Sequence, residues 1–151
     1  MSLCLADTNI LLRSVDPLSQ LHHTASEAIA LLLGKGEQVC LAPQNLVEFW
    51  AVVTRPVAAN GLGWEIDRAV REVESLRAQF PLLEETRDVF PKWLELVSRH
   101  RLAGKRVHDA RLIAVMHAQG VKRLVTFDEE HFRCFTDITL LSPHRIVEVK
   151  D

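Results

Sequence analysis

The sequence predicts one α/β domain, a three-layer α/β/α sandwich around a parallel sheet with a protruding helical hairpin. Short apolar runs of strand length alternate along the chain with longer stretches whose apolar residues recur at helical spacing. The apolar runs are uninterrupted, as expected of parallel strands that helices cover on both faces. A length of 151 residues with 48% hydrophobic content suits one substantial core rather than two. We therefore expect a single domain over residues 1–151.

The first strand is predicted at Leu3 to Ala6, where the chain is apolar. A short helix should follow from Asn9 to Arg13, and Pro17 ends this segment because proline cannot continue a helix. The next helix should run from His22 to Leu33, with Gly34 placed to stop it.

A second buried strand is predicted at Val39 to Ala42. Pro43 suits the first position of a helix, since the backbone N–H that proline lacks has no partner there. That helix should continue to Arg55 and end before Pro56.

From residue 66 onward, apolar residues mark one face of an amphipathic helix. They are Ile66, Val70, Val73, Leu76 and Phe80. A second amphipathic helix follows through Val89, Trp93 and Leu96. Two such helices in succession predict the helical hairpin, near Ile66 to Arg101. The first stripe is longer than one neighbouring helix would bury, which indicates an interface.

The last third of the chain predicts one helix and two strands. The helix should run from His108 to Gln119, after Gly104. Strands should follow at Arg123 to Thr126 and at Ile138 to Leu141.

Composition excludes several classes of protein. A net charge of -2 with 25% charged residues excludes an extended basic tail and a disordered acidic segment. Cys4, Cys40 and Cys134 are odd in number and lie far apart in apolar stretches, so we expect reduced, buried thiols. Asp7 comes too early for a secretory signal, and no apolar run approaches the roughly 20 residues of a membrane helix. The sequence thus predicts a soluble cytoplasmic protein without a membrane partner.

Four acids lie where a parallel sheet usually binds its ligands, outside the carboxyl ends of the strands. Asp7 directly follows the first predicted strand, and Asp128 follows the third with one residue between. Glu48 lies early in the helix after the second strand, and Asp109 opens the helix that precedes the third. We therefore expect all four carboxylates over the same edge of the sheet.

Clustered carboxylates predict a site for Mg²⁺ or Mn²⁺, because hard dications take oxygen ligands. Two such ions can activate a water on one side of a phosphodiester and neutralise the leaving oxygen on the other. Without metal, each acid raises the pKa of its neighbours and the cluster repels phosphate. We therefore predict that Asp7, Glu48, Asp109 and Asp128 are both the metal ligands and the catalytic residues.

Four short motifs together resemble the PIN-domain nucleases, and most of all their VapC toxin branch. They are Asp-Thr-Asn-Ile-Leu at 7–11, Asn-Leu-Val-Glu at 45–48, His-Asp-Ala-Arg-Leu-Ile-Ala at 108–114 and Thr-Phe-Asp-Glu-Glu-His-Phe at 126–132. The resemblance implies a PIN-like sandwich and an endoribonuclease that leaves 5′-phosphate and 3′-hydroxyl ends. It also implies that Asn9 and Thr126 support the acids, that the protein is a homodimer, and that a cognate antitoxin lies across the active-site groove.

A basic segment precedes Asp109 and consists of Arg99, Arg101, Lys105 and Arg106. It is typical either of an RNA-backbone contact or of a basic helix end that favours the helix dipole. Each acid also has an ordinary alternative as a turn residue, a surface residue or a helix cap, and Asp128 has adjacent competitors in Glu129 and Glu130.

Three other functions remain open at the level of sequence. The first is a PIN nuclease of RNA processing that has no antitoxin. The second is an aspartyl-phosphate enzyme acting through Asp7, which is disfavoured because Asn9 replaces the second acid of an Asp-x-Asp motif. The third is a non-catalytic PIN-like binding module.

Overall fold

Four parallel strands form the centre of the computed structural model, which describes residues 2–149. In chain order they are β1 (Leu3–Ala6), β2 (Gln38–Cys40), β3 (Arg123–Val125) and β4 (Thr139–Leu141). Their order in the sheet is β2-β1-β3-β4, so β1 pairs with β2 on one side and with β3 on the other. The carboxyl ends of β1 and β3 therefore lie side by side at the middle of one sheet edge.

Helices cover both faces of this sheet. The α-helices of the described residues are α1 (Thr8–Ser14), α2 (His22–Gly34), α3 (Pro43–Thr54), α4 (Ile66–Gln79), α5 (Val89–Arg99), α6 (Arg106–Gln119) and α7 (Pro143–Glu148). Two short 3₁₀ helices, Val57–Ala59 and Glu129–Phe132, lie in the connections. None of the helices within residues 2–149 is long and apolar enough to cross a membrane.

The core divides into two clusters because alternate residues of a strand point to opposite faces. Cys4 and Ala6 of β1 pack with residues of α1, α2, α3 and α4 on one face. Leu5 packs with α5 and α6 on the other. The predicted three-layer sandwich around a parallel sheet is confirmed. Cys4 and Cys40 are buried free thiols as expected, whereas the free thiol of Cys134 is partly exposed.

The two helices expected as a hairpin are both present, but they do not pack side by side. Leu76 of α4 belongs to one core cluster and Leu96 of α5 to the other. Between them the chain is extended, and the backbone of Leu41 bonds to Pro81 (2.9 Å) and to Leu83 (2.8 Å) at the end of β2. The cause is Pro81, since a residue that precedes proline is driven out of the helical region. The segment between the helices thus crosses the sheet edge, and the helices lie on opposite faces.

Most predicted boundaries differ from the structure by one or two residues. Strands β2 and β3 end earlier than expected, so Thr126 follows its strand instead of ending it. Helix α6 begins at Arg106, two residues before the expected start. Helix α7 was not predicted, although Pro143 occupies a helix start.

Candidate active site

Asp7 lies at the centre of the site, at the carboxyl end of β1. It caps helix α1 by accepting the backbone N–H of Thr8 on Oδ1 (2.8 Å). The hydroxyl of Thr126, which follows β3, donates to its other oxygen, Oδ2 (2.7 Å). Both carboxylate oxygens are thus oriented by donors from two adjacent strand ends.

Burial raises the pKa of Asp7 to about 6. The hydrogen bonds from Thr126 and Thr8 act in the opposite direction, and the nearby carboxylates of Glu48 and Asp109 raise the pKa further. Three of the four predicted acids therefore influence one another electrostatically. An enclosed carboxylate with acidic neighbours favours a compensating cation.

Glu48 lies in the second turn of α3 and is half-buried. It accepts a hydrogen bond on Oε1 from the hydroxyl of Thr8 (2.9 Å). Residue 8 thus contacts two acids, Asp7 through its backbone and Glu48 through its side chain.

Asp109 lies in the first turn of α6, and Arg106 of the same turn places its Nε 3.4 Å from Oδ2 of Asp109. Burial raises the pKa of Asp109, while His131 and Arg106 lower it and Glu48 raises it. Arg106 also donates from Nη2 to the backbone carbonyl of His131 (2.6 Å). It therefore connects Asp109 to the 3₁₀ helix that follows Asp128.

Asp128 is exposed and joins the site through its hydrogen bonds. Its Oδ2 accepts from Nδ2 of Asn9 (3.2 Å), and its backbone N–H donates to the hydroxyl oxygen of Thr126 (3.0 Å). The adjacent Glu129 instead pairs with Arg145 of α7. Of these neighbouring acids, Asp128 is the one that is tied to the residues around Asp7.

The four carboxylates do not form a closed metal cluster in this structure. Within residues 2–149, no three His, Cys, Asp or Glu side chains lie close enough together to hold a metal ion. Glu48 is hydrogen-bonded to Thr8, and Asp109 is paired with Arg106. The chemistry of the donors nevertheless fits a hard divalent cation, because carboxylate oxygens around the enclosed Asp7 are its preferred ligands.

Residues 4–135 match the PIN domain family. This span covers most of the 151 residues and includes all four acids. The chain belongs to the PIN-domain family. No curated protein matches it by sequence.

Solved structures of toxin–antitoxin proteins share the fold of this PIN domain. The structure of VapBC2 from Rickettsia felis bound to a DNA fragment from their promoter has a TM-score of 0.67 at 14% identity, over 93% of this chain and 98% of that chain. VapBC-1 from nontypeable Haemophilus influenzae has a TM-score of 0.68 at 13% identity, over 94% of this chain and 98% of that chain. VapC20 from Mycobacterium tuberculosis, a sarcin-ricin loop cleaving toxin, has a TM-score of 0.66 at 21% identity, over 87% of this chain and 94% of that chain. At these identities the similarity shows a common fold.

The basic residues predicted to contact RNA have different surroundings in this PIN domain. Arg106 is partly buried beside Asp109, whereas Arg99 forms an ion pair with Glu95 on the exposed side of α5. Arg101 and Lys105 are exposed in the connection between α5 and α6. Arg106 is therefore the member of the segment that contacts a predicted site acid.

Two residues that contact the site were absent from the predicted set. Thr8 binds Glu48, and the fully buried Asn45 donates from Nδ2 to Thr8 (3.2 Å). Both lie within the PIN-like motifs, directly after Asp7 and three residues before Glu48. The i,i+3 spacing that places Asn45 and Glu48 on one face of α3 was the available signal.

The raised pKa of Asp7 predicts a pH-dependent stability of the metal-free PIN domain. In the unfolded chain the Asp7 carboxyl has the ordinary pKa of 3.8, whereas in the folded protein its pKa is about 6. The folded protein therefore binds a proton at Asp7 over a pH range in which the unfolded chain has lost it. The free energy of unfolding should therefore fall as pH rises from about 4 to 6, and stay low above that range. The shift corresponds to on the order of 3 kcal/mol.

The measurement is urea unfolding in a chelating buffer from pH 4 to 8, for wild type and for Asp7→Asn. The difference in stability should grow in favour of Asp7→Asn between pH 4 and 6, because the asparagine has no charge to bury. Two curves that stay parallel over this range would contradict the assignment of the titrating group.

Proposed function

We propose that this PIN domain is a metal-dependent endoribonuclease and the toxin of a toxin–antitoxin pair. The observation that carries the proposal is that Asp7 and Glu48 both bond to Thr8 at the carboxyl end of the sheet, with Asp109 close enough to raise the pKa of Asp7. Two further carboxylates near the enclosed Asp7 are unfavourable unless a cation or protons compensate the three charges. This electrostatic coupling supports a metal site whose carboxylates would move closer together around the ion.

Asp7, Glu48, Asp109 and Asp128 would hold Mg²⁺ or Mn²⁺. When bound, such an ion lowers the pKa of a water and neutralises charge on a phosphodiester. Thr126 and the backbone of Thr8 keep the two oxygens of Asp7 in fixed directions. Asn9 holds Asp128 near this group by donating to it. The chain thus supplies an oriented set of acceptors.

We propose RNA as the substrate and a 5′-phosphate and a 3′-hydroxyl as the product ends. Arg101 and Lys105 are exposed beside the helix that carries Asp109, and this placement supports a contact with the RNA backbone. Arg106 is engaged with Asp109 and His131, so it is less available to RNA than Arg101 and Lys105. VapC20, which has the same fold, is a sarcin-ricin loop cleaving toxin, and this likeness also supports RNA as the substrate.

The partner proposal rests on an apolar groove between α3 and α4. Leu46, Val47, Trp50 and Val73 line it, with a volume of about 370 Å³. Val47 is 69% exposed and also lines a second cavity together with Glu48, which brings the groove next to one of the acids. The neighbouring structures are toxin–antitoxin complexes, which supports a cognate antitoxin in this groove and, with the family resemblance, a homodimer.

The proposed function is tested by cleavage of single-stranded and structured RNA with purified protein in Mn²⁺, in Mg²⁺ and in chelator. We expect cleavage with either metal and none in chelator. Asp128→Asn should lose on the order of 10- to 100-fold or more in activity, since even residues that only support the ligands of a metal site typically cost this much. Glu130→Gln is the matched control, since Glu130 is an exposed acid two residues away. Equal activity of the two variants would remove Asp128 from the site.

A further inference from the structure

Two asparagine–threonine pairs approach the acids in the same way. In the first, Oδ1 of Asn9 accepts the backbone N–H of Phe127 (3.3 Å), so its Nδ2 is the end that faces Thr126 (3.3 Å). The hydroxyl of Thr126 in turn donates to Asp7 (2.7 Å). This first relay consists of the two residues that the sequence already indicated as supports.

The second relay ends at Glu48. Oδ1 of Asn45 accepts the backbone N–H of Ala42 (2.8 Å) at the start of α3. Its Nδ2 donates to the hydroxyl oxygen of Thr8 (3.2 Å), and the Thr8 hydroxyl donates to Oε1 of Glu48 (2.9 Å).

The direction of every hydrogen bond in the second relay follows from the chemistry of the groups. A backbone N–H can only donate, so the carboxamide of Asn45 must present its oxygen to Ala42 and its NH₂ to Thr8. A threonine hydroxyl has one proton, and an NH₂ group cannot accept it. The proton of Thr8 therefore points at Glu48. Asn45 is 0% exposed, so water does not offer it another partner.

We propose that Asn45 and Thr8 form a positioning pair that holds the Glu48 carboxylate in one orientation, as a hydrogen-bond acceptor, for metal binding. This inference rests on the proposed function, because it assigns a role in metal binding to residues that are not themselves ligands. A glutamate side chain otherwise loses substantial rotamer freedom when it is fixed by a ligand. The relay fixes one carboxylate oxygen in advance, in the way that outer groups orient metal ligands elsewhere.

The test compares Thr8→Val, which replaces the hydroxyl by a methyl group of similar size, with Thr8→Ser, which keeps the hydroxyl. Thr54→Val is the matched control. It is the same threonine-to-valine change, but the Thr54 hydroxyl donates to the backbone carbonyl of Trp50 within α3 and not to a site acid. Mn²⁺ affinity is measured by titration calorimetry, alongside thermal unfolding in chelator and the kcat and KM for RNA.

We expect Thr8→Val to bind Mn²⁺ on the order of 10- to 100-fold more weakly than wild type. Thr8→Ser and Thr54→Val should keep the affinity within a few-fold of wild type. The activity of Thr8→Val should fall in kcat with KM unchanged, because the hydroxyl faces an acid and not the RNA. If Thr8→Val does not fold, Thr8→Ala removes the same hydroxyl with less bulk and carries the same expectation.

Three results would overturn the inference, and they differ in whether the proposed function also fails. If wild type binds Mn²⁺ and Thr8→Val binds it equally well, the relay has no positioning role and the proposed function stands. If wild type itself binds no Mn²⁺, the relay inference and the proposed metal site fail together. A Thr8→Ser variant as weak as Thr8→Val would also contradict the relay, since it retains the donor.

Discussion

Replacing Asp7 with Asn should abolish metal binding and RNA cleavage while the protein stays folded. Asp7 is the enclosed acid whose pKa both Glu48 and Asp109 raise, so the substitution removes the charge on which a cation would depend. We expect activity to fall by roughly 100-fold or more, since even residues outside a ligand set typically cost 10- to 100-fold. Near pH 7 and without metal, the variant should be at least as stable as wild type, because the repulsion among the carboxylates is relieved.

The measurements are a cleavage time course, Mn²⁺ calorimetry and urea unfolding in chelator. The matched control is Asp67→Asn, the same change at an exposed position in the first turn of α4. It should behave as wild type in all three. Full cleavage activity in purified Asp7→Asn would exclude the proposed mechanism, and both proteins need the same purification because a contaminating nuclease imitates residual activity.

Co-expression with the product of an adjacent small reading frame should yield a stable complex with little cleavage activity. The partner segment should be an amphipathic helix, because a helix in a groove needs apolar anchors at helical spacing. A basic residue near its end would compensate the carboxylates in place of a metal ion. Excess Mg²⁺ or Mn²⁺ should then partly restore cleavage, since metal and partner compete for the same charges.

The groove itself is tested with a charged substitution. Val47→Asp places a charge in the apolar groove at a position that is 69% exposed, so the isolated protein should fold normally. Its affinity for the partner should fall roughly tenfold or more, as for a central interface residue. Val57→Asp is the control, because Val57 is 72% exposed and lies outside the residues that line the groove. If no neighbouring product binds and the protein alone is harmless to its host, the toxin assignment fails and the nuclease assignment stands.

Local sequence patterns predicted the sandwich well because each strand and helix boundary depends on nearby residues. The apolar run at Leu3–Ala6 and the proline at position 43 mark a strand and a helix start that the structure contains. The arrangement of α4 and α5 was not predicted, because amphipathic spacing shows that a helix has an apolar face but not which side of the sheet that face covers. Pro81 was the local signal that the chain between them is extended.

The sequence motifs pointed to the four acids and to Asn9 and Thr126 as candidate site residues, but not to Thr8 and Asn45, which orient Glu48. Asp7 and Thr126 follow adjacent parallel strands, so their proximity follows from topology. The contact of Thr8 with Glu48 depends instead on how α1 packs against α3, forty residues along the chain. The partners of Arg99 and Arg106 could not be predicted either. A run of basic residues does not show which of its members pairs with a site acid, as Arg106 does with Asp109, and which pairs with a surface acid, as Arg99 does with Glu95.

The most direct test of the metal site is a crystal soaked in Mn²⁺ and measured for anomalous scattering. The expected result is an anomalous peak within coordination distance of Asp7, Glu48 and Asp109, with Asp128 nearby and with Thr8 still bonded to Glu48. The side chain of Arg106 should at the same time move away from Asp109, whose oxygen it now approaches at 3.4 Å. Anomalous density that lies only away from these four acids, or none at a saturating concentration, would contradict the assignment of Asp7, Glu48, Asp109 and Asp128 as a metal site.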